Sequence, residues 1–96
     1  MIVLEPRTWD AAIIEQREVG EHTIAVYDYD RLILCMVRDG DSVADAEEWI
    51  HYNTLRALPY EGAGAPWVVR QIHFAECLDE DDEIVNVGSI SYVRLR

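Results

Sequence analysis

Five consecutive carboxylates, Asp79, Glu80, Asp81, Asp82 and Glu83, form the densest run of ionisable side chains in the sequence. Three kinds of chemistry use such a run. It can bind a cation, but "DEDDE" lacks the glycine and the alternating ligand positions of a calcium-binding loop, so no metal is expected. It can dock on an arginine- or lysine-rich protein surface, or imitate the phosphates of duplex DNA, whose charges repeat every ~1.7 Å of axis. Its simplest use is a solvated loop that keeps a sheet edge from aggregating. The pairs Asp28/Asp30 and Asp39/Asp41 could in principle do acid–base work. Each falls at an expected helix terminus or turn, where capping and turn chemistry account for it.

No sequence pattern for nucleophilic or metal catalysis appears. His22, His51 and His73 fall in different elements, and no Cys/His spacing matches a zinc site. There is no G-x-S-x-G, and "GAGAP" lacks the Lys-Ser/Thr of a phosphate-binding loop. The chain is therefore expected not to be an enzyme and to need no cofactor. A second candidate region is aromatic. Trp49, Tyr52, Tyr60 and Trp67 surround the Gly/Pro loop at 59–66, and Tyr27, Asp28, Trp49, Asn53 and Tyr60 are the expected lining of a pocket there, with ordinary core packing as the alternative.

Charge restricts the partners. The chain carries 19 acidic against 8 basic residues, a net charge of −11, and every basic residue is arginine. Direct contact with nucleic acid or an anionic membrane needs clustered cations, so neither is expected. A partner protein with a basic surface is. No run reaches the ~18 apolar residues of a membrane span, and "MIVLEPRTWD" lacks the basic and apolar regions of a signal peptide. A cytoplasmic location follows as the expectation. In a reducing compartment Cys35, inside "LILCMV", is expected to be a small buried hydrophobe.

The elements that must position these groups follow from pattern. At 96 residues and 50% apolar content, one domain spanning 1–96 is expected. "MIVL" suggests a short strand ended by Pro6, and residues 9–16 a helix capped by Thr8. A turn at Gly20 leads to a strand over 22–27. Asp28 is placed to cap a helix starting at Tyr29 and ended by Gly40. Ser42, followed by Asp45 in a loose capping box, opens a helix over 43–58. Val43, Ala46, Ile50 and Ala57 share its apolar face, with Trp49 and Asn53 at the border. The short loop makes these two helices an antiparallel hairpin. "WVVRQIHFAEC" and "EIVNVGSISYVRLR" read as two strands of a β-hairpin with "LDEDD" at its tip, and Gly88 as a bulge. The expected fold is α+β: a small antiparallel sheet with an αα-hairpin on one face.

The block "AVYDYDRLI" with "AEEWIHYNTLRALPYEGAGAPWVV" resembles a family of small uncharacterised proteins frequent in phages and prophages. The resemblance covers roughly residues 11–70 and rests on Tyr27, Asp28, Trp49, Tyr52, Asn53, Gly62, Gly64 and Pro66. It implies a phage context and offers no activity to import. Combined with the charge, it leads to one expectation: a non-enzymatic acidic protein that inhibits a host nucleic-acid-handling or defence complex, in the manner of an anti-CRISPR protein, through residues 79–83. Two alternatives stay open. One is a ligand-binding or enzymatic domain built on Trp49, Asn53 and the 59–66 loop. The other is a structural homo-oligomer, a homodimer for example, paired through strand 90–96.

Overall fold

The computed structural model describes residues 1–58, 62–72 and 82–95. A 3-10 helix (Arg7–Ala12) leads into strand β1 (Ile13–Val19), β2 (His22–Asp28), helix α1 (Tyr29–Arg38), helix α2 (Val43–Trp49), a π-helical continuation (Ile50–Leu55), and strands β3 (Trp67–Gln71), β4 (Ile84–Val87) and β5 (Ile90–Leu95). The strands form one sheet in the order β1-β2-β3-β5-β4. The β2/β3 pair is parallel and every other pair antiparallel, so the sheet is mixed. The expected class, α+β, holds. The expected purely antiparallel sheet does not, because both helices lie between β2 and β3 and return the chain alongside β2 in the same direction.

Two tight turns set the antiparallel registers. Val19 pairs with His22 and Val87 with Ile90, leaving the two-residue loops Gly20-Glu21 and Gly88-Ser89. Both glycines have φ of +61°, and among the described residues only glycines have positive φ, which fits the type II′ turn that joins twisted strands. Gly88 is thus a hairpin turn and not a bulge, and it divides the expected last strand into β4 and β5. The expected antiparallel pairing of the segments at 67–77 and 83–96 holds in part: β3 pairs antiparallel with β5, but β4 lies beyond β5, so among the described residues the strands on either side of the acidic run are not neighbours.

The N-terminal expectations change most. Residues 1–6 form no strand. The helix expected over 9–16 is a 3-10 helix followed by β1, and its N-cap is Pro6, not Thr8. Ile13 and Ile14 favour extended backbone through their branched Cβ atoms. A register irregularity between Ile13 and Glu15 lets the strand begin directly after the 3-10 turn.

Both helix caps form as the sequence indicates. Asp28 accepts hydrogen bonds from the backbone N–H of Asp30 (2.9 Å) and Arg31 (3.4 Å). The Ser42 hydroxyl accepts from Asp45 N–H at 3.1 Å. The helix over 43–58 departs from simple periodicity at Ile50. A π turn advances by i→i+5 and moves later residues around the axis. After Ile50, Thr54 and Leu55 are buried and Ala57 is exposed; Ala46 and Ile50 themselves are buried, and Val43, in the first turn, is exposed.

The main core lies on one face of the sheet. It joins Trp9 and Ala12, Leu32, Ile33 and Met36 of α1, and Ala46, Ile50 and Leu55 of the second helix to Ala25, Tyr27 and Val68 of the strands. Free Cys35 is buried there. A second cluster, Val26, Val69, Val85 and Tyr92, lies on the other face, with Ile14, Trp67 and Val87 packed against it. Arg17 of β1 donates to the Asn86 carbonyl of β4, although these strands are at opposite ends of the sheet order. The sheet therefore curls, bringing its first and last strands together around the second cluster.

Candidate functional site

The sequence-expected residues separate in the structure. Tyr27 is fully buried, and its hydroxyl accepts a hydrogen bond from Leu4 N–H at 2.8 Å. Burial pushes its pKa above the usual tyrosine value, against the opposing effect of that hydrogen bond. Asp28 is committed to capping α1. Trp49 and Asn53 face solvent, and Tyr60 lies outside the described residues. Of the four described, Trp49 and Asn53 are the two placed to meet a partner. The acidic run is only partly described: Asp79, Glu80 and Asp81 lie outside the described residues. Asp82 is exposed, and Glu83 pairs with Arg94 at 3.2 Å.

What the fold presents instead is the outer face of α2 and its π continuation. Asp45, Glu48, Trp49 and Tyr52 follow three-and-four spacing and share one face. Trp49 is 53% exposed and Tyr52 63% exposed. Both rings are kept outward because Ala46, Ile50 and Thr54 take the inward positions. Around them the segment 39–55 carries Asp39, Asp41, Asp45, Glu47 and Glu48 and no arginine. None of these carboxylates forms an ion pair among the described residues. An aromatic pair with an acidic surround is suited to meeting cationic side chains, through ring faces and carboxylates together. Trp49 and the helix are legible in the sequence. Tyr52 stands in the pattern that carries the resemblance, whereas Asp45 and Glu48 carry no motif that singles them out as a site, although the same periodicity that defines the core face marks all three as its opposite.

Beside this face, at the carboxyl ends of the parallel strands, lies a small polar cluster. Tyr29 Oη and His51 Nε2 share a hydrogen bond of 3.2 Å. The Arg70 guanidinium sits 5.2 Å from the centre of the Tyr29 ring and 3.8 Å from Asp30. Burial of Tyr29 raises its pKa, and the Glu47 carboxylate adds to the effect. These contacts hold the π segment against the start of α1.

A third group lies at the other end of the sheet. Arg94 of β5 lies 4.5 Å and Arg17 of β1 5.8 Å from the centre of the Trp67 ring. Trp67 borders an apolar cavity of about 380 Å³. In the sequence Trp67 belongs with the aromatics around the Gly/Pro loop, and the two arginines have no evident role. Arg94 alternates with Val93 and Leu95 along β5, which places it on one sheet face; Arg17, between Gln16 and Glu18, carries no such signal.

Among the described residues, no group of three or more His, Cys, Asp or Glu side chains is placed to hold a metal ion, and no helix is long and apolar enough to cross a membrane. Comparison with protein-family models, curated proteins and solved structures found no match to this chain.

Proposed function

We propose that this is a non-enzymatic binding protein that docks on a basic protein surface through the outer face of α2. The observation that carries this reading is the exposure of Trp49 and Tyr52 side by side within a segment that is otherwise acidic. Large aromatics are the residues most enriched at binding hot spots. Surrounding carboxylates steer a cationic partner and repel anionic ones. A net charge of −11 adds a long-range attraction to basic surfaces.

The function expected from the sequence, a phage-encoded cytoplasmic inhibitor of a host nucleic-acid-handling or defence complex, is one form of this proposal. Its phage context rests on the resemblance alone. Asp82 and Glu83 are the described part of the expected acidic run, but Glu83 already serves Arg94, so the α2 face is the stronger anchor.

The test places a photo-crosslinking amino acid at Tyr52 and, separately, at the exposed position Gln16. The expected result is one stoichiometric, salt-sensitive crosslinked partner from bacterial lysate at position 52 and none at position 16. Trp49→Ala with Tyr52→Ala, in a chain whose circular dichroism is unchanged, is expected to weaken capture at least about a hundredfold, as hot-spot truncations do. Undiminished capture by that double variant removes the α2 face from the proposal.

A further inference from the structure

We infer that the cavity beside Trp67 is a binding site for a small amphiphilic monocarboxylate, with Arg94 as the residue that receives the carboxylate. This site is separate from the α2 face and does not depend on it. Its walls are apolar, from Leu55, Leu58, Ala63, Ala65 and Leu95, with Val19 at the border. Leu55 and Leu58 reach it because the π turn has rotated the end of the second helix. At about 380 Å³ the space falls within the usual range for small-molecule sites. Scaled from a ~150 Å³ apolar cavity that holds benzene, it takes a ligand of about 15 non-hydrogen atoms.

Arg94 is the charged residue among those that line this cavity. The residue is held from three sides: by the Trp67 ring at 4.5 Å, by Glu83 Oε2 at 3.2 Å, and by its own backbone N–H donating to the Glu83 carbonyl at 2.9 Å. Its contact with Glu83 uses Nη1. A guanidinium presents five N–H donors in a planar fork, so Nη2 and Nε keep donors for a ligand. Arg17, over the same tryptophan, adds a second positive charge close by. Glu83 and Glu15, each paired with one of these arginines, oppose an anion locally, and the protein's net charge opposes it at a distance. The distant repulsion is screened beyond ~8 Å at physiological salt. The local opposition is offset by contact, since a charge-assisted hydrogen bond to a pre-oriented arginine is stronger than one between neutral groups. An apolar chamber with one fixed cation at its wall selects an apolar body carrying one carboxylate.

The experiment follows the Trp67 indole N–H by NMR during titration of the full chain with decanoate, 1-naphthoate and decanol. Trp67→Phe assigns the resonance. We expect saturable shifts with at least one of the two acids, whose relative affinity separates an aliphatic from an aromatic body. Decanol should bind at least about tenfold more weakly than decanoate. Arg94→Gln should bring decanoate to the affinity of decanol and leave decanol unchanged. Arg94→Gln also removes the pairing with Glu83, so Ala63→Leu provides an independent variant. It narrows the cavity from an exposed position without touching the arginine, and should weaken all three compounds. Binding of neither acid, equal binding of decanoate and decanol, or full acid binding by Ala63→Leu would each overturn the assignment.

Discussion

Tyr27 shows how a single side chain ties the N-terminal segment to the sheet. Its ring is fully buried and its hydroxyl is the acceptor for Leu4 N–H. Tyr27→Phe keeps the ring and removes the acceptor, and is expected to cost about 1 kcal/mol in urea unfolding, the usual scale when a part-buried donor loses its partner. Both Tyr27 and Tyr29 have pKa values raised by burial. Below the ordinary tyrosine pKa of about 10, both folded and unfolded chains keep these protons and the stabilisation is complete. Above it the unfolded chain ionises first, so stability falls as pH rises toward the folded-state values. Denaturation midpoints measured from pH 8 to 11 should decline above about pH 10, and decline less in Tyr27→Phe. No sequence motif announces this role. A tyrosine beside an aspartate looks functional and suggests a pocket, whereas β2 is buried on both faces and Tyr27 packs with Ala25 in the main core.

At the scale of elements, helix beginnings are legible and the path after them less so. Residue type and position identify Asp28 and Ser42 as caps, and both cap in the structure. Replacing Asp28 by Ala should destabilise the fold by about 1–2 kcal/mol, the cost of losing a cap, and Asp28→Asn by less, because an amide oxygen also accepts these hydrogen bonds. Thermal unfolding of the two variants checks the order. The register after Ile50 is not legible. Nothing in "IHYNTL" distinguishes a π turn from an α turn, and tertiary contacts such as Tyr29 with His51 decide it. That shift, absent from a 3.6-residue reading, accounts for the error at Ala57 in the expected core face; Val43, before the π segment, is exposed in the first turn of α2. β1 escapes the sequence pattern because "AAIIEQ" serves a helix by propensity and a strand by its branched pair, and pairing with β2 is what selects the strand. The polar pair Asp39-Asp41 reads as a turn, and Gly40 with φ of +109° forms it.

For the whole molecule, charge is the property read most directly. With 19 acidic and 8 basic residues, self-repulsion opposes compactness. Among the ion pairs in the described residues, Arg7–Asp10 and Arg70–Asp30 are largely exposed, and such pairs contribute ~0–1 kcal/mol each. Screening the repulsion should therefore outweigh the loss of those pairs. The melting temperature is expected to rise between about 0.02 and 0.5 M sodium chloride, as the Debye length shortens. A flat or falling temperature would show that specific pairs outweigh the overall field. Strand order is the property read least well. Sequence proximity suggests that the last two apolar segments pair with each other, and β3 does pair with β5; the β2/β3 pairing spans both helices, and no local pattern announces it.

That strand order also sets when the sheet can be completed during synthesis. β3 is the middle strand, with β2 made before both helices on one side and β5, the last strand described, on the other. A chain that has left the ribosome only as far as Gln71 has β3 beside β2 and an open edge where β5 belongs. Residues Val69 and Trp67 then lack the cover of Tyr92 and Arg94. Until the final hairpin emerges and Arg17 can reach Asn86, the nascent protein offers a template for strand addition. Early contact with a chaperone or with a second copy would act on that half-sheet, and ribosome stalling between β3 and β5 is the stage at which aggregation would begin.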